Sequence, residues 1–137
     1  MDNDILKQDL INDEGLKLKP YRDSVGKLTI GVGRNLDDEG ITEAEALYLL
    51  NNDIQRVETE LATVPDFPQL SDVRQRVLIE MTFNLGLGGV MEFKEMWSAI
   101  QAQDWDAAAD AMLNSEWATE VGQRAVRLAA CMRTGAG

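Results

Sequence analysis

Histidine is absent from the 137 residues, and cysteine occurs once, at Cys131. Without histidine there is no Ser-His-Asp or Cys-His nucleophile system. An isolated cysteine with no histidine also argues against a zinc site, so neither metal nor cofactor is expected. One cysteine excludes an internal disulfide and suits a reducing compartment. No run approaches the roughly 18–20 apolar residues of a membrane helix, so membrane insertion is not expected. The first residues, MDNDILKQDL, are polar and acidic and lack the basic start and apolar run of a secretory signal. The chain is therefore expected to collect in the cytoplasm in which it is made. Cations are scarce: 13 Lys and Arg face 24 Asp and Glu, a net charge of −11. Such a surface makes nucleic acid a poor partner, because phosphate binding relies on Lys and Arg.

What remains is an ordinary globule, 45% apolar and 27% charged. Its length suits a single domain, 1–137, with a core and room for two small lobes, and a monomer is expected. The positive residues are uneven. From Val121 onward stand Arg124, Arg127 and Arg133 with no acid, which predicts a local basic face.

Residues 4–12 read as a short helix with Ile5, Leu6, Leu10 and Ile11 on one side. Gly15, Pro20 and Gly26 then punctuate the chain, and Lys27 to Val32 is the best strand. A small antiparallel sheet is predicted there. Thr42 with Glu45 is a capping-box signature opening a helix of about 20 residues. Its stripe is Leu47, Leu50, Ile54, Val57 and Leu61, at helical spacing. The helix ends before Pro65-Asp66-Phe67-Pro68, the best candidate for a lobe boundary. Ser71-Asp72 caps a further helix that Gly86, Gly88 and Gly89 end, and helical patterns follow at 90–102, 105–113 and 121–132. The fold class is α+β, mainly helical: a sheet lobe over 13–64, joined by the long helix to a helical lobe made of 1–12 and 65–137.

Chemistry concentrates near the N-terminus, in the pattern E-x8-D-x5-T-I-G-x-G formed by Glu14, Asp23, Thr29 and the Gly31-Val32-Gly33 turn. Cleaving a glycosidic bond takes one protonated carboxyl for the leaving oxygen and a second, ionised one to activate water or to stabilise the cationic sugar. Each residue alone has a plainer explanation. Glu14 fits a solvated glutamate, Asp23 an Asx turn and Thr29 an ordinary strand residue.

Taken together, these residues resemble the phage lysozymes of the T-even type, endolysin muramidases of glycoside hydrolase family twenty-four. The match runs from Asp13-Glu14-Gly15 through Tyr21, Asp23 and Thr29-Ile30-Gly31-Val32-Gly33. It continues at Phe83-Asn84-Leu85-Gly86 and at Trp105-Asp106-Ala107-Ala108, Trp117, Arg124-Ala125, Arg127 and Arg133-Thr134-Gly135. The resemblance implies a lysozyme-like fold and a cofactor-free enzyme acting on the glycan strands of peptidoglycan. It implies Glu14 as general acid, with Asp23 and Thr29 holding the attacking water. It also implies that Arg133 pairs with the catalytic glutamate, and that Gly33, Phe83, Asn84 and Arg124 contact substrate. Familiar members carry His where Arg34 stands, paired with a carboxylate; Asp53 occupies the matching helical position, so an Arg34–Asp53 pair is expected. The segment from Arg34 to Thr42 is shorter than in those members. Trp97, Trp105 and Trp117 are expected in the core rather than as sugar platforms. The alternative from another class is a wall-binding or interaction module that keeps the fold without catalysis; intact Glu14, Asp23 and Thr29 argue against it.

Overall fold

The structure, a computed structural model, describes all 137 residues. It is a mainly helical α+β protein made of two compact units, Met1–Leu49 and Leu50–Gly137.

The first unit opens with α1 (Asn3–Glu14), whose N-terminus is capped by the Asp2 carboxylate. None of its residues is buried, and Ile5, Leu6 and Leu10 are exposed. Gly15, at φ 81°, accepts the sharp change of direction after Glu14. An antiparallel sheet follows in the order β1 (Lys17–Arg22), β2 (Leu28–Gly31) and β3 (Arg34–Asn35). Tyr21 pairs with Thr29, but the register shifts between Lys17 and Tyr21. Pro20 falls in that stretch and has no N–H for the ladder. Gly31 and Gly33, both at φ near 70°, close the β2–β3 turn, so Gly-Val-Gly supplies the left-handed backbone a tight hairpin needs. Thr29 is the one fully buried residue of this unit.

Helix α2 (Glu43–Ala62) starts at the capping box. Thr42 Oγ1 accepts the Glu45 N–H, and Glu45 Oε1 accepts the Thr42 N–H. The second unit, beginning within α2, adds α3 (Asp72–Met91), α4 (Lys94–Gln101), α5 (Trp105–Leu113), α6 (Glu116–Val121) and α7 (Gln123–Thr134). Ser71, Asp104 and Ser115 cap α3, α5 and α6 with side-chain oxygens. Every buried apolar side chain lies here, with Leu61, Leu78, Met81, Met96, Leu128 and Met132 sealed from solvent. Burying such a side chain is worth about 1.5–3 kcal/mol. Arg74 of α3 ties the unit together. Its Nε donates to Met132 O at 2.8 Å, its Nη2 to Arg133 O at 3.3 Å, and its guanidinium lies 3.8 Å from the centre of the Trp105 ring.

The units divide differently from the expected lobes. Val64, just before the Pro65–Pro68 segment, and Phe67 within it are buried in the second unit's core, so the prolines mark a turn inside that unit. The division falls within α2, and α1 belongs with the sheet. Gly86 does break α3, at φ 71° and ψ 165°, but helix resumes as far as Met91. The short α6 has too few residues to show a period, and the sequence pattern missed it.

Candidate active site

Glu14 is the last residue of α1, and the backbone reversal at Gly15 turns the chain into β1. Its carboxyl lies against the Gly31–Gly33 turn. A Cβ on residue 33 would stand 3.0 Å from Glu14 Oε2 and 3.3 Å from Cδ. A side chain on residue 33 would therefore push the carboxyl from this position. Glu14 is exposed to solvent.

Asp23 occupies the β1–β2 turn. Its Oδ1 accepts the Val25 N–H at 3.0 Å and the Lys27 N–H at 2.8 Å. Its backbone N–H donates to Lys27 O at 2.9 Å, and Gly26 N–H donates to Asp23 O at 3.0 Å. The plain Asx-turn reading of Asp23 is therefore realised, yet it employs only Oδ1; Oδ2 has no protein donor. Thr29, 3% exposed, donates its hydroxyl to Lys27 O at 2.9 Å. Both side chains are thus fastened to the backbone of one residue, Lys27, which donates its N–H to Asp23 and offers its carbonyl to Thr29.

Arg34 corrects the expected pairing. Its guanidinium grips Glu45 with two parallel bonds, Nη1 to Oε1 and Nη2 to Oε2, both 2.8 Å, and Nη1 also reaches Gly40 O at 3.1 Å. Asp53 instead accepts from Arg56 at 2.8 Å on its own helix. A neighbour one turn away wins that carboxylate, and the nearby capping-box glutamate wins Arg34. The Arg34 fork, helped by the Thr42 N–H, holds the Glu45 carboxyl down at about 2, from an ordinary 4.5. Arg34 is correspondingly shifted up, by the hydrogen bonds and charge of Glu45.

In the second unit, Arg133 donates to Asp106 Oδ1 at 3.0 Å and to Asp110 Oδ1 at 2.8 Å. Within this unit, two carboxylates of α5 thus occupy both ends of the Arg133 fork. Arg127 is likewise taken by Glu80 at 3.2 Å. The basic face read from the C-terminal sequence thus shrinks to Arg124, which alone of the three has no acidic partner. Phe83 and Asn84 are exposed on α3 just before the Gly86 break. Trp97 and Trp117 are buried, and Trp105 lies half-buried under Arg74. No sequence pattern points to a hollow of about 660 Å³ whose walls include Phe93, Trp117, Glu92, Glu95 and Glu116. The Trp117 indole N–H is buried there without an acceptor.

The family profile described as phage lysozyme matches residues 12–132. A probable T4-type lysozyme of Dictyostelium discoideum is 28% identical, over 95% of this chain and 94% of that protein. The endolysin of Salmonella phage P22 is 31% identical, over 76% of this chain and 75% of its own. The pre-baseplate central spike protein Gp5 of Enterobacteria phage T4 is 29% identical over 92% of this chain, which corresponds to 27% of Gp5. With a match that reaches from the residues around Glu14 to the last turn of α7, the chain belongs to the phage lysozyme family.

Proposed function

We propose that the protein is a lysozyme that hydrolyses the β-1,4 bond between N-acetylmuramic acid and N-acetylglucosamine in bacterial peptidoglycan. Glu14 is the general acid, giving its proton to the leaving glycosidic oxygen as the C–O bond breaks. A water attacks the anomeric carbon and passes its proton to Asp23. Thr29 donates its own hydrogen to Lys27 O, which leaves its lone pairs to accept a hydrogen bond from that water. Asp23 Oδ1 is engaged by backbone N–H groups, so Oδ2 is the oxygen that takes the proton. Gly33, Phe83, Asn84 and Arg124 are the proposed sugar contacts, by family likeness. No helix is long and apolar enough to cross a membrane; the enzyme is proposed to reside in the host cytoplasm until lysis and then to act on the wall.

The observation that carries this reading is the close seating of the Glu14 carboxyl against the left-handed glycine at position 33, in a chain of the phage lysozyme family. The test is clearing of a suspension of purified walls, with product masses recorded. Hydrolysis yields fragments with a reducing N-acetylmuramic end, and Glu14→Gln is expected to lower the rate about 10²–10⁴-fold. Unchanged clearing by folded Glu14→Gln sinks the assignment. Binding of walls without any clearing by the wild type points to a binding module instead.

A further inference from the structure

The turn on which Glu14 rests is built from two glycines in left-handed conformation, Gly31 and Gly33, and glycine is the residue with most backbone freedom to lose. Something must hold it, and the next residue is Arg34. Three bonds fix that guanidinium: two to the Glu45 carboxylate at 2.8 Å and one to Gly40 O at 3.1 Å. A two-pronged guanidinium–carboxylate contact fixes orientation as well as distance. Glu45 is itself immobilised, because its Oε1 also accepts the Thr42 N–H at 2.8 Å while its own N–H donates to Thr42 Oγ1 at 3.1 Å. An unbroken path of contacts therefore runs from the first turn of α2 through Glu45 and Arg34 to Gly33 and the Glu14 carboxyl, all within the first unit. The side chains of the pair are 39% and 41% exposed. Ion pairs so open to water contribute little to stability, so the geometry they impose matters more than the energy they release.

We infer that Arg34 and Glu45 are positioning residues, which set the Gly31–Gly33 turn and through it the location of the Glu14 carboxyl. They touch no substrate. They take the freedom out of a turn in which the left-handed Gly33 lies against the acid. The inference rests on the assignment of Glu14 above, and its test is chosen to stand apart from it.

The test compares Arg34→Met, Arg34→Lys and Glu45→Gln with Arg76→Met, which breaks an unrelated exposed pair with Asp72. A misplacement of about 1 Å costs on the order of 10²-fold in rate. Arg34→Met is therefore expected to lose about 10–100-fold in kcat on soluble wall fragments, with KM within about twofold of wild type. Arg34→Lys, which keeps the charge and loses the fork, is expected to recover only part of the loss. The Glu14 side-chain carboxyl 13C resonance is expected to move in Arg34→Met and Glu45→Gln and to stay in place in Arg76→Met. An unchanged kcat, or a lowered kcat with the Glu14 resonance in place, overturns the inference. If the wild type hydrolyses no wall fragments, the enzymatic reading fails, and the resonance alone decides the positioning. If Arg34→Met does not fold, Glu45→Gln carries both measurements, because its amide still caps Thr42.

Discussion

The Glu14 carboxyl and the Cα of Gly33 are packed so closely that a methyl carbon on residue 33 would lie 3.0 Å from Oε2 and push the carboxyl aside by a few tenths of an ångström. Residue 33 also sits at φ +68°, where side chains are strained.

Gly33→Ala therefore meets two penalties. The left-handed backbone costs about 1–2 kcal/mol, read as a lower midpoint in thermal or denaturant unfolding. The displaced carboxyl is expected to lower wall clearing by more than the unfolded fraction explains, at least about tenfold by the geometric sensitivity of such reactions. Full clearing by Gly33→Ala removes the argument that this contact seats the acid.

Asp23 performs two tasks that two substitutions separate. Asp23→Asn keeps an oxygen for the Val25 and Lys27 N–H groups, so the turn and the stability are expected to survive while clearing falls. Asp23→Ala leaves both donors without their acceptor and is expected to cost about 1–2 kcal/mol beyond Asn, as loss of a local cap does. Equal stability of the two variants contradicts the turn role. Wild-type clearing by either contradicts the role in activating water.

Acid titration follows from Glu45. Its folded carboxyl is held at about 2 by the Arg34 hydrogen bonds and then by the Thr42 N–H, against 4.5 for a free group. A depressed carboxylate contributes its stabilisation fully above the unfolded value and loses it as pH falls through the folded one. The pair is therefore intact at pH 5 and above, and it decays between about 4.5 and 2. Guanidinium does not titrate in any accessible range, so there is no matching loss on the alkaline side. The Glu45 carboxyl resonance is expected to titrate near 2 in wild type and to move toward 4.5 in Arg34→Met. A midpoint near 4.5 in the wild type refutes the pairing.

Arg74→Met is expected to destabilise the second unit by about 2–3 kcal/mol. It removes charge-assisted bonds to the final carbonyls of α7 and the contact with the Trp105 face. Unfolding in urea measures it. A change under about 0.5 kcal/mol means that water replaces the guanidinium without loss.

What was legible in the sequence was local. Thr42 and Glu45 announced a capping box because both partners lie within one turn, and helical period, a short-range signal, announced the buried Val57 and Leu61 of α2, although Leu47 and Leu50 of the same stripe are exposed. Gly31-Val32-Gly33 announced its turn for the same reason. Partners in space were not legible. Arg34 had acids at several plausible separations, and only the fold shows that the cap residue Glu45 serves it and that Asp53 goes to Arg56. The acids that hold Arg133, Asp106 and Asp110, lie 27 and 23 positions away and were hidden for the same reason. The division inside α2 was hidden because a helix continues through it, whereas prolines attract attention whether or not units part there.

Arg74 and the carbonyls it binds are separated by 58 and 59 positions. During synthesis, α3 emerges from the ribosome long before the acceptors for this guanidinium exist, and loop closure over such a span is slow relative to forming a helix. Until Met132 and Arg133 arrive, water is the partner of that guanidinium. The last turn of the last helix is thus the step that completes its order, and translation of the whole segment sets the earliest moment at which that unit becomes native.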